Sequence, residues 1–143
     1  MKQSSCTEIL EGMLALLQAG WCQGNYYERQ EDESDSFCLK GSWHKATGNA
    51  FYRPHEVNKA LLKAIYTVFP DWKCTMHSPI GSDSCLCEGA PRWHRIVHFN
   101  DDPHRSREDV ILVVKQAIAD SREKEEVHGE VHMRQERAGA GSR

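Results

Sequence analysis

The sequence predicts an all-α fold: a compact bundle of about five helices, with an irregular Cys-containing insertion and a disordered C-terminal tail. Three observations carry this. Apolar residues recur at three- and four-residue steps, which places them on one face of a helix. Ser/Glu and Ser/Asp pairs with capping spacing stand in front of two of those runs, and Gly or Pro stands behind several. No single stretch is uninterrupted enough to suggest anything but a water-facing domain.

The elements follow in order. Ser5 and Glu8 have capping-box spacing, so a helix should begin near Cys6 and carry Leu10, Met13, Leu14 and Leu17 on one face. Gly20 is expected to end it in the left-handed conformation. Residues 21–36, "WCQGNYYERQEDESDS", break the period and read as a loop. A second helix is predicted from about Phe37 to Thr47, ended by Gly48, with Gly41 in its interior marking a close approach by a neighbour. Pro54 suits the first turn of a third helix whose stripe is Val57, Leu61, Leu62, Ile65, Val68 and Phe69, and Pro70 stops it.

The insertion, "DWKCTMHSPIGSDSCLCEGAP", is irregular. A short helix from Pro91 to about Phe99 follows it, and then a knot of Asn100, Asp101, Asp102, Pro103, His104 and Arg105. Ser106 and Asp109 repeat the cap logic before Val110, Ile111, Val113, Val114, Ala117 and Ile118. Although β-branched residues dominate "DVILVV", the cap and the continuation "KQAIADSREKEE" favour a helix. From Lys124 the composition turns polar. One helical domain is therefore expected over residues 1–123 and a disordered tail over 124–143.

Composition limits the function classes. With 39% hydrophobic and 27% charged residues over 143 positions, the chain can bury a core without disulfides or metal. A net charge of −3 and a pI near 6.2 disfavour nucleic acid as a partner. Glu8 and Glu11 interrupt what would be the apolar core of a secretory leader, and no apolar run approaches the roughly 20 residues of a membrane span. A cytoplasmic protein without membrane contact is expected, with Cys6, Cys22, Cys38, Cys74, Cys85 and Cys87 as reduced thiols.

"GWCQGNYY" (20–27), "CLKGSWHKATG" (38–48) and "FNDDPHRSREDVILVVKQAI" (99–118), in that order, resemble a family of small helical bacterial and phage proteins classed only as a domain of unknown function. The likeness spans about Ile9 to Ser121. Ser42 stands where that family often has alanine and His104 where it often has glycine. The resemblance implies an all-helical domain without an established activity.

Four functional readings compete. In the first, the polar knot is a clasp in which Asn and Asp side chains take backbone donors, and Asp101 or Arg105 reaches the Trp21-Gln23-Gly24 turn. In the second, Asn100, Asp101 and Arg105 face a pocket floored by Trp21 and Gln23 and bind a polar ligand. The third is a zinc-stabilised domain using Cys74, His77, Cys85 and Cys87, with His94 and His98 one helical turn apart. The fourth is a cysteine-dependent hydrolase or transferase, with Cys22 or Cys38 activated by His44 and Asp101. The favoured expectation is a non-catalytic binding or accessory module without cofactor, acting on a protein partner. Its acidic segment "ERQEDESDS" could present a negative surface to a basic partner.

Overall fold

The computed structural model describes residues 5–25, 27–29, 35–48, 54–74 and 92–140. Among them the order of elements is α1 (Cys6–Ala19), β1 (Tyr27–Arg29), β2 (Asp35–Phe37), α2 (Leu39–Thr47), α3 (Pro54–Val68), α4 (Arg92–Asp101) and α5 (Arg107–Ala140). The five helices stand where the apolar periodicity puts them, give or take two residues except at the C-terminal end of α5.

The caps work as their spacing requires. Ser5 Oγ accepts from Glu8 N at 3.1 Å and starts α1. At α5 the box is reciprocal: Asp109 N donates to Ser106 Oγ and Ser106 N donates to Asp109 Oδ2, both at 3.2 Å. That satisfies orphan donors of a first turn, and it holds the β-branched run 110–114 as helix. Gly20 departs from expectation. Its φ is −175°, extended rather than left-handed. Glycine is needed there for room, because a Cβ would stand 2.5 Å from Asp35 O and 2.8 Å from Ser36 Oγ.

Residues 21–36 are not wholly loop. β1 and β2 pair antiparallel, Tyr27 with Phe37 and Arg29 with Asp35, and a parallel bridge joins Trp21 to Phe37. The chain leaving α1 is thereby sewn to the strand that enters α2.

α5 lies against α1 and α3, and α2 against α1. Thr7 at the start of α1 meets Ser121 late in α5, so α1 and α5 run antiparallel. Leu10, Met13 and Leu17 from α1, Leu61 and Ile65 from α3, Phe99 from α4 and Val110, Val113 and Val114 from α5 form the centre, all essentially without solvent exposure. Each such side chain contributes about 1.5–3 kcal/mol over leaving it in water. The stripe of α5 ends at Ser121, and Arg122 to Val127 are exposed. Its backbone continues as helix to Ala140, past residue 124 where the sequence reading begins a tail. The residues there are rich in Glu, Lys, Arg and Gln, which are good helix formers.

Candidate functional site

The polar knot is the last turn of α4 and the turn into α5. α4 runs two residues beyond the expected end, so Asn100 and Asp101 are helical and Asn100 is fully buried. An amide offers two N–H donors and two acceptor lone pairs, and all four of Asn100 are taken. Its Oδ1 accepts from Trp21 Nε1 at 2.7 Å and Leu39 N at 3.1 Å. Its Nδ2 donates to Cys22 O at 3.1 Å and Asp101 Oδ1 at 2.9 Å. One side chain thus holds the segment after α1, the first N–H of α2 and its own neighbour.

The rest of the knot extends this arrangement. Gln23 Nε2 donates to Asn100 O and Asp102 O at 2.9 and 2.8 Å. Gly24 N donates to Asp101 Oδ1 at 3.0 Å; with φ at +80°, a side chain at residue 24 would strain the backbone. Asp102 accepts from Trp72 Nε1 through Oδ2 and from His104 N through Oδ1. Trp72, from beyond α3, and Asp102 have no marker in the sequence that would join them, since an indole N–H 30 residues away carries no spacing signal.

Arg105 points the other way. Its guanidinium lies 3.8 Å from the Phe99 ring centroid and 4.5 Å from that of Phe69, pairs with Asp102 and Asp109, and donates from Nε to Phe99 O. Of the candidate residues, Trp21, Gln23, Gly24, Asn100 and Asp101 therefore come together, and Arg105 serves the α3 and α5 side of the same turn.

A half-open cavity of about 420 Å³ opens beside the clasp, lined by Gly24, Asn25, Cys38, Val97 and Asp101. Trp21 and Gln23 do not floor it; their polar atoms are turned into the clasp. The surroundings are acidic. Burial, and then the nearby Cys38, Glu28 and Asp101, push the Cys22 thiol up to about 11. Cys38 is also pushed up, by burial above all, with Asp101 adding to it; the N–H groups of Gly41 and Lys40 pull the other way.

Those thiols are poor nucleophiles at neutral pH. Cys22 Sγ donates to Asn25 O, while Cys38 caps α2 by accepting from Gly41 N at 3.3 Å. His44 sits exposed on α2, its ring stacked on Trp43. Cys38 is buried beside Gly41, as its apolar context suggested. Ser42, also buried, satisfies its hydroxyl by donating to Leu39 O at 2.8 Å.

The metal candidates divide. Cys74 Sγ lies 3.2 Å from His98 Nδ1, both residues buried, with the His94 ring 6.0 Å from that of His98. His77, Cys85 and Cys87 lie outside the described residues. Among the described residues no group of three His, Cys, Asp or Glu side chains could hold a metal ion, and no helix is long and apolar enough to cross a membrane.

Residues 1–120 match the model of a family of unknown function, DUF6197, and the chain belongs to that family. No curated protein and no solved structure matches the chain.

Proposed function

We propose that this family member is a non-catalytic binding module, an accessory protein of bacteria or their phages, which acts through contacts with a protein partner at the clasp end of the bundle. The observation that carries the reading is the saturation of Asn100: the densest cluster of chemistry-bearing groups is spent on joining segments of the chain, with no atom of that amide left for a substrate. What the same end offers outward is a cavity edged by Asp101, with Glu28 close to it. An acidic recess of this size suits a lysine or arginine side chain of a basic segment.

The test is binding of a lysine octapeptide to the full chain, beside a glutamate octapeptide and a DNA duplex. Capture of the lysine peptide alone, abolished at about 1 M salt where the Debye length is about 3 Å, is the expected result. Asp101→Asn keeps the acceptor for Gly24 N and removes the charge, so it should weaken capture. Equal binding of both peptides, or an Asp101→Asn protein that binds as before, sinks the reading.

One observation favours a second reading, a zinc-stabilised domain: the Cys74 thiol and the His98 imidazole are already in contact. Zinc takes four such groups, and Cys85 and Cys87 lie between these two in the sequence. Metal analysis of purified protein decides it. One zinc per chain, with melting lowered by a chelator, supports this reading; a metal-free protein that melts identically with and without chelator removes it.

A further inference from the structure

Cys22 and Cys38 come from different segments that the fold lays side by side. Phe37 N donates to Gly20 O at 3.0 Å and Cys22 N donates to Phe37 O at 3.1 Å, which is the pattern of the parallel bridge between Trp21 and Phe37. The residues one step on, Cys22 and Cys38, flank that bridge closely enough for the charge of Cys38 to act on the Cys22 thiol. At such a bridge the chains run about 4.8 Å apart, and the Cα atoms of bonded cysteines stand roughly 4.4–6.8 Å apart, so a small approach beyond the bridge closes the pair. Asn100 fixes both segments at once, through Cys22 O and Leu39 N. Both cysteines are free thiols and both are buried, so bulky thiols are kept out. Cys38 nevertheless lines the half-open cavity, which a small oxidant can enter.

We infer that Cys22 and Cys38 are a redox-modification site, closing to an intramolecular disulfide when a small peroxide enters the cavity. Attack is slow near neutral pH, because burial keeps Cys38 mostly protonated, and it quickens as pH rises: the Cys38 sulfur takes one oxygen of hydrogen peroxide, the O–O bond breaks, and water leaves with the thiol proton to give a sulfenic acid. The Cys22 sulfur then attacks the Cys38 sulfur, the S–O bond breaks, and a second water carries off the Cys22 proton. Two thiols lose two electrons and two protons, and one peroxide becomes two waters. The closed bond has a structural effect at the cavity: Cys22 can no longer donate to Asn25 O, so the Gly24-Asn25 rim loses an anchor. The inference does not depend on what the cavity binds.

The experiment treats the full chain, in a Cys6→Ser background so that the tryptic peptide 3–29 carries Cys22 as its sole thiol, with excess hydrogen peroxide. The expected product yields a dithiothreitol-sensitive pairing of peptides 3–29 and 30–40 through a disulfide, two hydrogens lighter than the two free thiols, and melts about 5–10 °C higher because residues 22–38 are closed into a loop. Cys38→Ser, which retains an oxygen able to cap α2, should give no such pair. Three outcomes overturn the inference: Cys38 carried to sulfinic acid without a cross-link, Cys38 joined to another cysteine, or both thiols intact after prolonged peroxide at about pH 9, where the thiolate fraction is larger.

Discussion

Replacing Asn100 by alanine tests the clasp most directly. The substitution removes four hydrogen bonds and leaves Trp21 Nε1, Leu39 N and Cys22 O without that partner, at a residue with no solvent exposure. A buried polar group left unpaired costs about 1–3 kcal/mol, so three of them, partly relieved by entering water, should cost about 3–5 kcal/mol. Against a total of about 5–15 kcal/mol for an ordinary domain, that is a large fraction. In urea, with a slope of about 2 kcal/mol per molar, the unfolding midpoint should fall by about 2 M at unchanged slope. Asn100→Asp sharpens the test. It retains acceptors but sets a second carboxylate against Asp101 Oδ1, where the amide nitrogen lies at 2.9 Å in the native chain. Burial and like charge would raise the folded pKa of that new acid above its unfolded value of about 3.9, so the folded state would bind the extra proton. Its deficit should therefore grow as pH rises from about 4 and level off above the raised folded pKa. A midpoint drop below about 0.5 M for Asn100→Ala, or an Asn100→Asp deficit that shrinks with rising pH, would refute the reasoning.

Three further expectations follow from the same geometry. Gly20→Ala drives a Cβ into the Asp35 carbonyl, which is backbone, and should cost about 1–3 kcal/mol in chemical denaturation; at Gly12 the nearest atom is Ala46 Cβ at 3.2 Å, and the cost should be smaller. Arg105→Lys loses the planar stack on Phe99 and the fork to Asp102 and Asp109, so melting should show about 1–2 kcal/mol of lost stability although the charge is kept. With its thiol at about 11, Cys22 in the Cys6→Ser background should react with iodoacetamide at pH 7.5 at least about 100-fold more slowly than a peptide cysteine, by mass spectrometry of peptide 3–29, and faster as pH rises toward 11; brisk labelling at neutral pH would contradict the environment described.

What could be read from the sequence was mostly what local chemistry dictates. The Ser5 and Ser106 caps, Pro54 at the start of α3 and the stripe from Val110 to Ile118 are settled within a few turns of helix, and they fixed the helices to within two residues except at the far end of α5. The hairpin escaped because Glu28, Arg29, Asp35 and Ser36 show no apolar alternation; its second strand is held from outside by the Gly20–Cys22 segment, which bonds to Phe37. α2 begins two residues later than its apolar run suggested because its cap is a thiol, a weak acceptor that carries no cap signal. In the clasp, the meeting of Trp21, Gln23 and Gly24 with Asp101 could be posed from residue types alone. The pivot on Asn100 and the recruitment of Trp72 could not, since both depend on two extra residues of α4 and on packing across the whole chain.

The reach of Asn100 along the chain also sets an order for biosynthesis. Its partners lie 61 to 79 residues upstream, at Leu39, Cys22 and Trp21. While the ribosome is still delivering the middle of the chain, α1 and the hairpin have their own backbone bonds through Phe37 but lack the fastening from α4. The core closes only once α5 has emerged as far as Ser121, so a transcript cut short before that codon would yield a product for proteolysis, not a smaller working domain.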